Sequence, residues 1–232
     1  MRERRPWRQR LPGPVRRLVR PHLVGLRPRL APLDGRWGYG RGTPIDRWYI
    51  EDFLGIHRAD IRGVGLEVKE DLYLRRFGTA LTRVDIVDVD PTNEQATVVA
   101  DLAVGDGLED GAYDCFVLTQ TLQYIADVDA AVRVVHRVLA PGGVVLATVP
   151  CITRVTVELP ALVDYWRFTD ASCRRLFEPV FGAESVSVAT YGNLAAAAAF
   201  LAGYAVEELS PRERDASDAR YPLVVCVRAT RA

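Results

Sequence analysis

Acidic residues recur where short apolar runs end, and their order is the first chemical feature of this sequence. The run from Val64 closes on Glu67, Val68, Lys69 and Glu70, and the run from Val84 closes on Asp88 and Asp90. A third, Thr97 to Val99, leads to Asp101, and a fourth, Cys115 to Leu118, leads into Thr119, Gln120 and Thr121. One carboxylate can accept from both hydroxyls of a ribose and another from an exocyclic adenine amine, so the succession suits an adenosine ligand. Acids at such positions also cap the helices that follow strands, and spacing alone leaves both readings open.

A second cluster, Asp164, Tyr165 and Arg167 in DYWRFT, follows the fifth run, Val144 to Val149. Aromatic faces pack on the apolar faces of sugars, and Arg167 with Asp164 can bond hydroxyls or a carboxylate. A structural role competes: Trp166 and Phe168 in the core, with Arg167 paired to Asp164 to fasten the turn. Gln123 and Tyr124 are comparable candidates on the acceptor side. Metal and nucleophile chemistry is not signalled. The cysteines Cys115, Cys151, Cys173 and Cys226 are scattered without a CxxC pair, which predicts reduced and mostly buried thiols, and the histidines His22, His57 and His136 lie far apart. His136 sits in a helical run as a covering residue, and His57 is an outlying base candidate near a lid.

Strand-like and helix-like stretches that could position these residues alternate from Gly63 onward, with a helix at Asp129 to Leu139 and a turn at Pro141 to Gly143. This predicts an α/β, doubly wound, mostly parallel sheet with helices on both faces. ESVSVATY and YPLVVCVRAT read as two further strands, with an alanine-rich helix between them capped by Asn193. Before the sheet, glycines and aromatics predict a formed loop up to Pro44. Ile45, Trp48, Tyr49, Phe53 and Leu54 then recur at helical spacing, with Asp46 near the helix start.

The chain of 232 residues, 49% hydrophobic, suits one domain with an extension. Its apolar runs are too short for a membrane span of roughly 20 residues, and we place it in the cytoplasm. Residues 1–30 hold 10 arginines against one acid, Glu3, leaving 20 basic and 29 acidic residues in the body. Three segments follow: a basic, proline-punctuated tail over 1–33, a lead-in or lid over 34–60, and the domain over 61–232. Arginine supplies every basic residue but Lys69, which reads as coding bias and gives no ground for a nucleic-acid partner. The tail is expected to be flexible; its leucines and valines interleaved with arginine also permit peripheral contact with an anionic membrane or an acidic partner.

Through VGLEV, DIVDVDP, VVADL, the run YDCFVLTQTLQYIADVDAAVRVVHRVLAPGGVVLATVP and DYWRFT, the chain resembles the class I S-adenosylmethionine-dependent methyltransferases of type 11 over about Ile61 to Arg228. The run from Tyr113 to Pro150 is the most specific part. The lead-in GRWGYGRGTPIDRWYIEDFL, with YGN after DYWRFT, looks closest to a branch associated with glycosyltransferase and polysaccharide genes. The resemblance implies a Rossmann-like sheet of seven strands whose last, Leu223 to Arg228, runs antiparallel. It implies S-adenosylmethionine as cofactor, with Glu67 near the methionine end, Val68 and Lys69 also among the cofactor-binding residues, Asp88 or Asp90 at the ribose, Asp101 and Leu102 beside adenine, and Thr119 and Gln120 along the other flank. It also implies an acceptor pocket around Asp164, Tyr165 and Arg167. The acceptor would be a sugar or other small molecule, and a glycosyltransferase the candidate partner.

One stretch departs from the family. Where the family continues from its acid into G-x-G-x-G, this chain has Val68 and then Lys69, Glu70, Asp71, Leu72 and Tyr73. Glycine would there supply positive φ and let the backbone approach the ligand. Three readings follow: an O-methyltransferase with a reshaped loop, a methyltransferase fold without the cofactor serving as partner or scaffold of a glycosyltransferase, and an enzyme repurposed for other natural-product chemistry. The first needs a pocket bounded by Glu67, Asp88 or Asp90, and Asp101; the second gains if Lys69 or Tyr73 fills it.

Overall fold

The computed structural model describes residues 31–157 and 162–232; the basic head and the contacts expected of it lie outside the described residues. Seven strands form one sheet: β1 (Arg62–Val68), β2 (Ala80–Asp88), β3 (Val98–Val99), β4 (Tyr113–Thr119), β5 (Leu139–Pro150), β6 (Val186–Tyr191) and β7 (Val224–Thr230). Their order is β3-β2-β1-β4-β5-β7-β6. The first five are parallel, and β7 enters antiparallel between β5 and β6. This is the Rossmann-like arrangement expected, with β7 as the antiparallel strand.

Alternation along the strands decides which layer each side chain joins. Phe116 and Leu118 pack with α3 (Val128–Val138) and α4 (Asp170–Phe181), whereas Cys115 and Val117 pack with α1 (Ile45–Ile56) and α5 (Leu194–Leu201). The Asp127 carboxylate opens α3 by accepting from the Ala130 amide at 2.8 Å, and α1 buries Ile45, Tyr49, Ile50, Phe53 and Leu54. The PGG segment does not separate helix from strand. It forms a bulge within β5, where Gly142 takes φ 80°. Cys115, Cys173 and Cys226 are buried, Cys151 is half-buried, and all four are free thiols. No helix among the described residues is long and apolar enough to cross a membrane.

The segment ahead of β1 is fastened to residues far along the chain. Arg41 grips Glu208 with two nitrogens, its Nε reaching Oε2 at 2.8 Å, and the Glu208 side chain is fully buried. Thr43 donates through its amide and hydroxyl to Glu207, its carbonyl accepts from the Val206 amide at 2.8 Å, and Pro44 bridges to Ala205. Gly38, at φ 94°, lies so close to the Tyr204 carbonyl that a Cβ would overlap it. Removing one partner of a buried pair leaves the other charge uncompensated, at a cost of about 3–5 kcal/mol. Glu208→Ala should therefore destabilise the fold by that order in urea unfolding, while Asp127→Ala, which removes only the cap bond from the Ala130 amide at 2.8 Å, should cost about 1 kcal/mol.

Candidate functional site

A cavity of about 880 Å³ opens beyond the carboxyl ends of β1, β2, β4 and β5, with Glu67, Asp88, Thr119 and Pro150 in its wall. That volume lies at the upper end of the usual range for small-molecule sites. Its roof comes from Trp37, Tyr39, Asp46 and Arg47, and its far side from Tyr124, Arg154, Thr156 and the DYWRFT segment.

The glycine-free turn leaves this space open. Lys69 itself adopts φ 73°, the left-handed conformation that costs a side-chain-bearing residue about 1–2 kcal/mol. Three hydrogen bonds hold the turn: the Lys69 amide donates to Val87 O at 2.8 Å, and Asn93 Nδ2 donates to the Lys69 carbonyl at 2.8 Å and to Asp88 Oδ2 at 2.7 Å. The chain then enters the short helix α2 (Leu72–Phe77). Glu67, 2% exposed, turns its carboxylate to that helix's first amides, accepting from Tyr73 at 3.1 Å and from Leu74 at 2.8 Å. Tyr73 is buried and forms wall without plugging the cavity. Its hydroxyl accepts from Arg47 at 2.7 Å, which joins the turn to the roof.

Glu67, Val68, Lys69, Asp88, Asp101, Leu102, Thr119 and Gln120 all line the cavity. Asp90 does not: its carboxylate turns back to the Thr92 amide and hydroxyl, at 2.9 and 2.7 Å. Asp101 fixes its own loop through the Ala103 amide at 2.8 Å. Gln120, at φ 47°, sends its amide to Thr148 O at 2.8 Å, while its side-chain Nε2 is buried without a partner among the described residues.

Asp164, Tyr165 and Arg167 line the opposite side. Arg167 holds both Asp164 oxygens, at 2.6 and 2.9 Å, and also donates to Arg154 O at 2.6 Å, while the Thr156 amide reaches Asp164 Oδ2 at 2.8 Å. Burial pushes the Asp164 carboxyl up, but Arg167 and Thr156 outweigh it and hold the group below the ordinary carboxylate range. The pair clamps residues 153–157 to residues 162–168. Phe168 enters the core as expected of a structural residue, but Trp166 stays 41% exposed, its Nε1 donating to Ile125 O at 2.8 Å. Gln123 and Tyr124 also line the cavity, and the Tyr124 hydroxyl lies 3.0 Å from Thr156 Oγ1. His57 faces Phe53 and Asp60, and His136 stacks edge-on against Phe181, both away from the cavity wall.

Sequence reasoning treated Asp46 only as a residue of the helix start and did not single out Trp37, Arg47 or Arg154. Arg154 lies over the Trp37 ring at 3.7 Å, a cation–π contact between two residues of the cavity lining. The interleaving of arginine and tryptophan in GRWGYGRGTPIDRW was the available signal, but the partners lie more than a hundred residues apart.

Residues 63–147, a little over a third of the chain, match a family described as methyltransferase domain. None of the curated proteins matches the chain. Among solved structures, a proposed S-adenosylmethionine-dependent methyltransferase from Listeria monocytogenes is 14% identical with a TM-score of 0.53, covering 81% of this chain and 97% of its own. An S-adenosylmethionine-dependent methyltransferase from Archaeoglobus fulgidus is 11% identical with a TM-score of 0.52, over 80% and 94%. A proposed sarcosine dimethylglycine methyltransferase from Galdieria sulphuraria is 13% identical with a TM-score of 0.50, over 83% and 94%. The fold is therefore that of the S-adenosylmethionine-dependent methyltransferases.

Desolvation drives the Glu67 carboxyl up to about 7, helped by Glu70 and Asp71 and opposed by the Leu74 and Tyr73 amides. The folded protein thus holds this proton more tightly than the unfolded chain, whose value is the ordinary 4.5. Stability from this group is complete below the lower value and is lost as pH rises through the upper one, a change of about 3 kcal/mol. Urea unfolding at pH 5 and pH 8 should show this loss in the wild type and not in Glu67→Gln; equal losses in both would place the perturbation elsewhere.

Proposed function

We propose that this protein is a methyltransferase that uses S-adenosylmethionine to methylate a hydroxyl of a sugar or glycosylated small molecule. The observation that carries this reading is the open cavity in which Glu67, Asp88 and Asp101 stand in succession at the ends of β1, β2 and β3. The donor set fits the cofactor. Asp88, already held by Asn93 and by the Asp90 amide at 3.0 Å, keeps lone pairs for the two ribose hydroxyls. Asp101 and Leu102 would flank adenine, while Thr119 and the unpartnered Gln120 Nε2 would serve the opposite edge. Glu67, Val68 and Lys69 would hold the methionine end. When bound, the cofactor supplies an electrophilic methyl on a cationic sulfur; the chain positions the acceptor and receives its proton.

Trp37 and Tyr165 offer aromatic faces, and Arg154 and Arg167 cationic groups, on the side away from Asp88, a lining that suits a hydroxylated ring. Asp164 and Arg167 fix this wall. The lead-in sequence and the YGN triplet support a place beside a cytoplasmic glycosyltransferase, with the basic head reaching that partner or a membrane surface.

Isothermal titration with S-adenosylmethionine and S-adenosylhomocysteine tests the reading without an acceptor. Micromolar binding is expected, weakened about tenfold or more in Asp88→Ala and Asp101→Ala, the loss typical of hydrogen bonds to charged groups. No binding to folded wild-type protein would overturn it and favour the partner role.

A further inference from the structure

Methylation of a hydroxyl releases a proton, and the acids around the cavity differ in how free they are to take it. Asp164 is held on both oxygens by Arg167 and on one by Thr156. Glu67 is committed to the α2 amides, Asp88 to Asn93 and the Asp90 amide, and Asp101 to its own loop. Asp127 caps α3, and Glu70 is exposed.

Asp46, like Asp101 and Asp127, is bonded only by backbone amides, but of the three it alone belongs to the roof. Its Oδ1 accepts from the neighbouring Arg47 amide at 2.8 Å, its own amide also bonds the carboxylate, and no side chain among the described residues bonds it or pairs with it. Arg47 turns its guanidinium to the Tyr73 hydroxyl and forms no ion pair with Asp46. The residue lies half-buried in the first turn of α1, as part of the roof that lines the cavity. A continuous path of contacts fixes its place: the Glu67 carboxylate binds the Tyr73 amide, the Tyr73 hydroxyl binds Arg47, and Arg47 adjoins Asp46. The roof acid is thereby tied to the cavity end where Glu67 would meet the methionine portion.

We infer that Asp46 is the general base, accepting the proton of the acceptor hydroxyl as the methyl group is transferred; this rests on the methyltransferase reading above. The acceptor's O–H bond breaks with the proton passing to Asp46, and the oxygen uses its electron pair to bond the methyl carbon. The pair of the breaking carbon–sulfur bond stays on sulfur as a neutral thioether, and Asp46 later returns the proton to water. Burial raises the proton affinity of Asp46 above that of an ordinary aspartate, in the direction a base requires.

Sinefungin, the cofactor analogue bearing an amine in place of the transferred methyl, probes this position by binding alone. A base there should hold the amine through a charge-assisted hydrogen bond. In wild-type protein sinefungin should bind at least tenfold more tightly than S-adenosylhomocysteine. In Asp46→Asn and Asp46→Ser that preference should vanish while the S-adenosylhomocysteine affinity stays within about twofold; Asp164→Asn should keep the preference. Equal affinities in the wild type, or a preference that survives in both Asp46 variants, would overturn the assignment and leave the methyltransferase reading standing. Failure of both ligands to bind the wild type would remove that reading and this assignment with it.

Discussion

The buried Glu67 carboxylate is the constraint around which the cavity is arranged. An uncompensated carboxylate at the end of a core strand would be costly, and here the cost is offset by backbone amides at the start of α2. That demand fixes where the chain must turn after β1 and how soon the helix must begin. It also fixes Tyr73, whose amide serves Glu67 and whose hydroxyl serves Arg47. One strand-end acid thus connects the sheet to a helix and the helix to the roof.

This arrangement explains how the turn manages without glycine. The left-handed conformation is placed on a single residue, Lys69, and its strain is set against fixed hydrogen bonds from the end of β2 and from Asn93. Asn93 also donates to Asp88, so the side-chain amide that stabilises the unusual turn orients a carboxylate of the cavity wall. The same economy recurs opposite, where Arg167 immobilises Asp164 and draws two irregular segments together.

The strands were legible in the sequence because each central strand is an apolar run, and the antiparallel β7 was legible through the family resemblance. The edge strand β3 spans only two residues and pairs with β2 alone. The PGG motif read as a turn because glycine and proline punctuate both turns and bulges. Loop side chains were harder to read. Asp88 and Asp90 are indistinguishable by spacing, and only the folded loop shows that Asp90 serves its own turn with Thr92. The pairing of Arg167 with Asp164 was one of two readings left open, and the geometry shows the bond without excluding a place in the cavity wall. Asp46 could not be singled out, because its importance depends on its place in the roof and on having no side-chain partner among the described residues.

The roof carries a consequence for how the protein is made. Arg41 and Glu208 are separated by 167 positions, and Thr43 and Glu207 by 164. At synthesis rates of roughly 5–20 residues per second, the first member of each pair waits on the order of ten seconds or more for the second. The sheet from β3 to β5 can assemble in that interval, because its strands follow one another closely, but the roof cannot. Contacts of such long sequence separation are also slow to close for entropic reasons. A nascent chain therefore carries its strand-end acids without the fastenings of the roof until residues 205–208 arrive, and the cavity wall is complete only later still, with Leu223 and Val224.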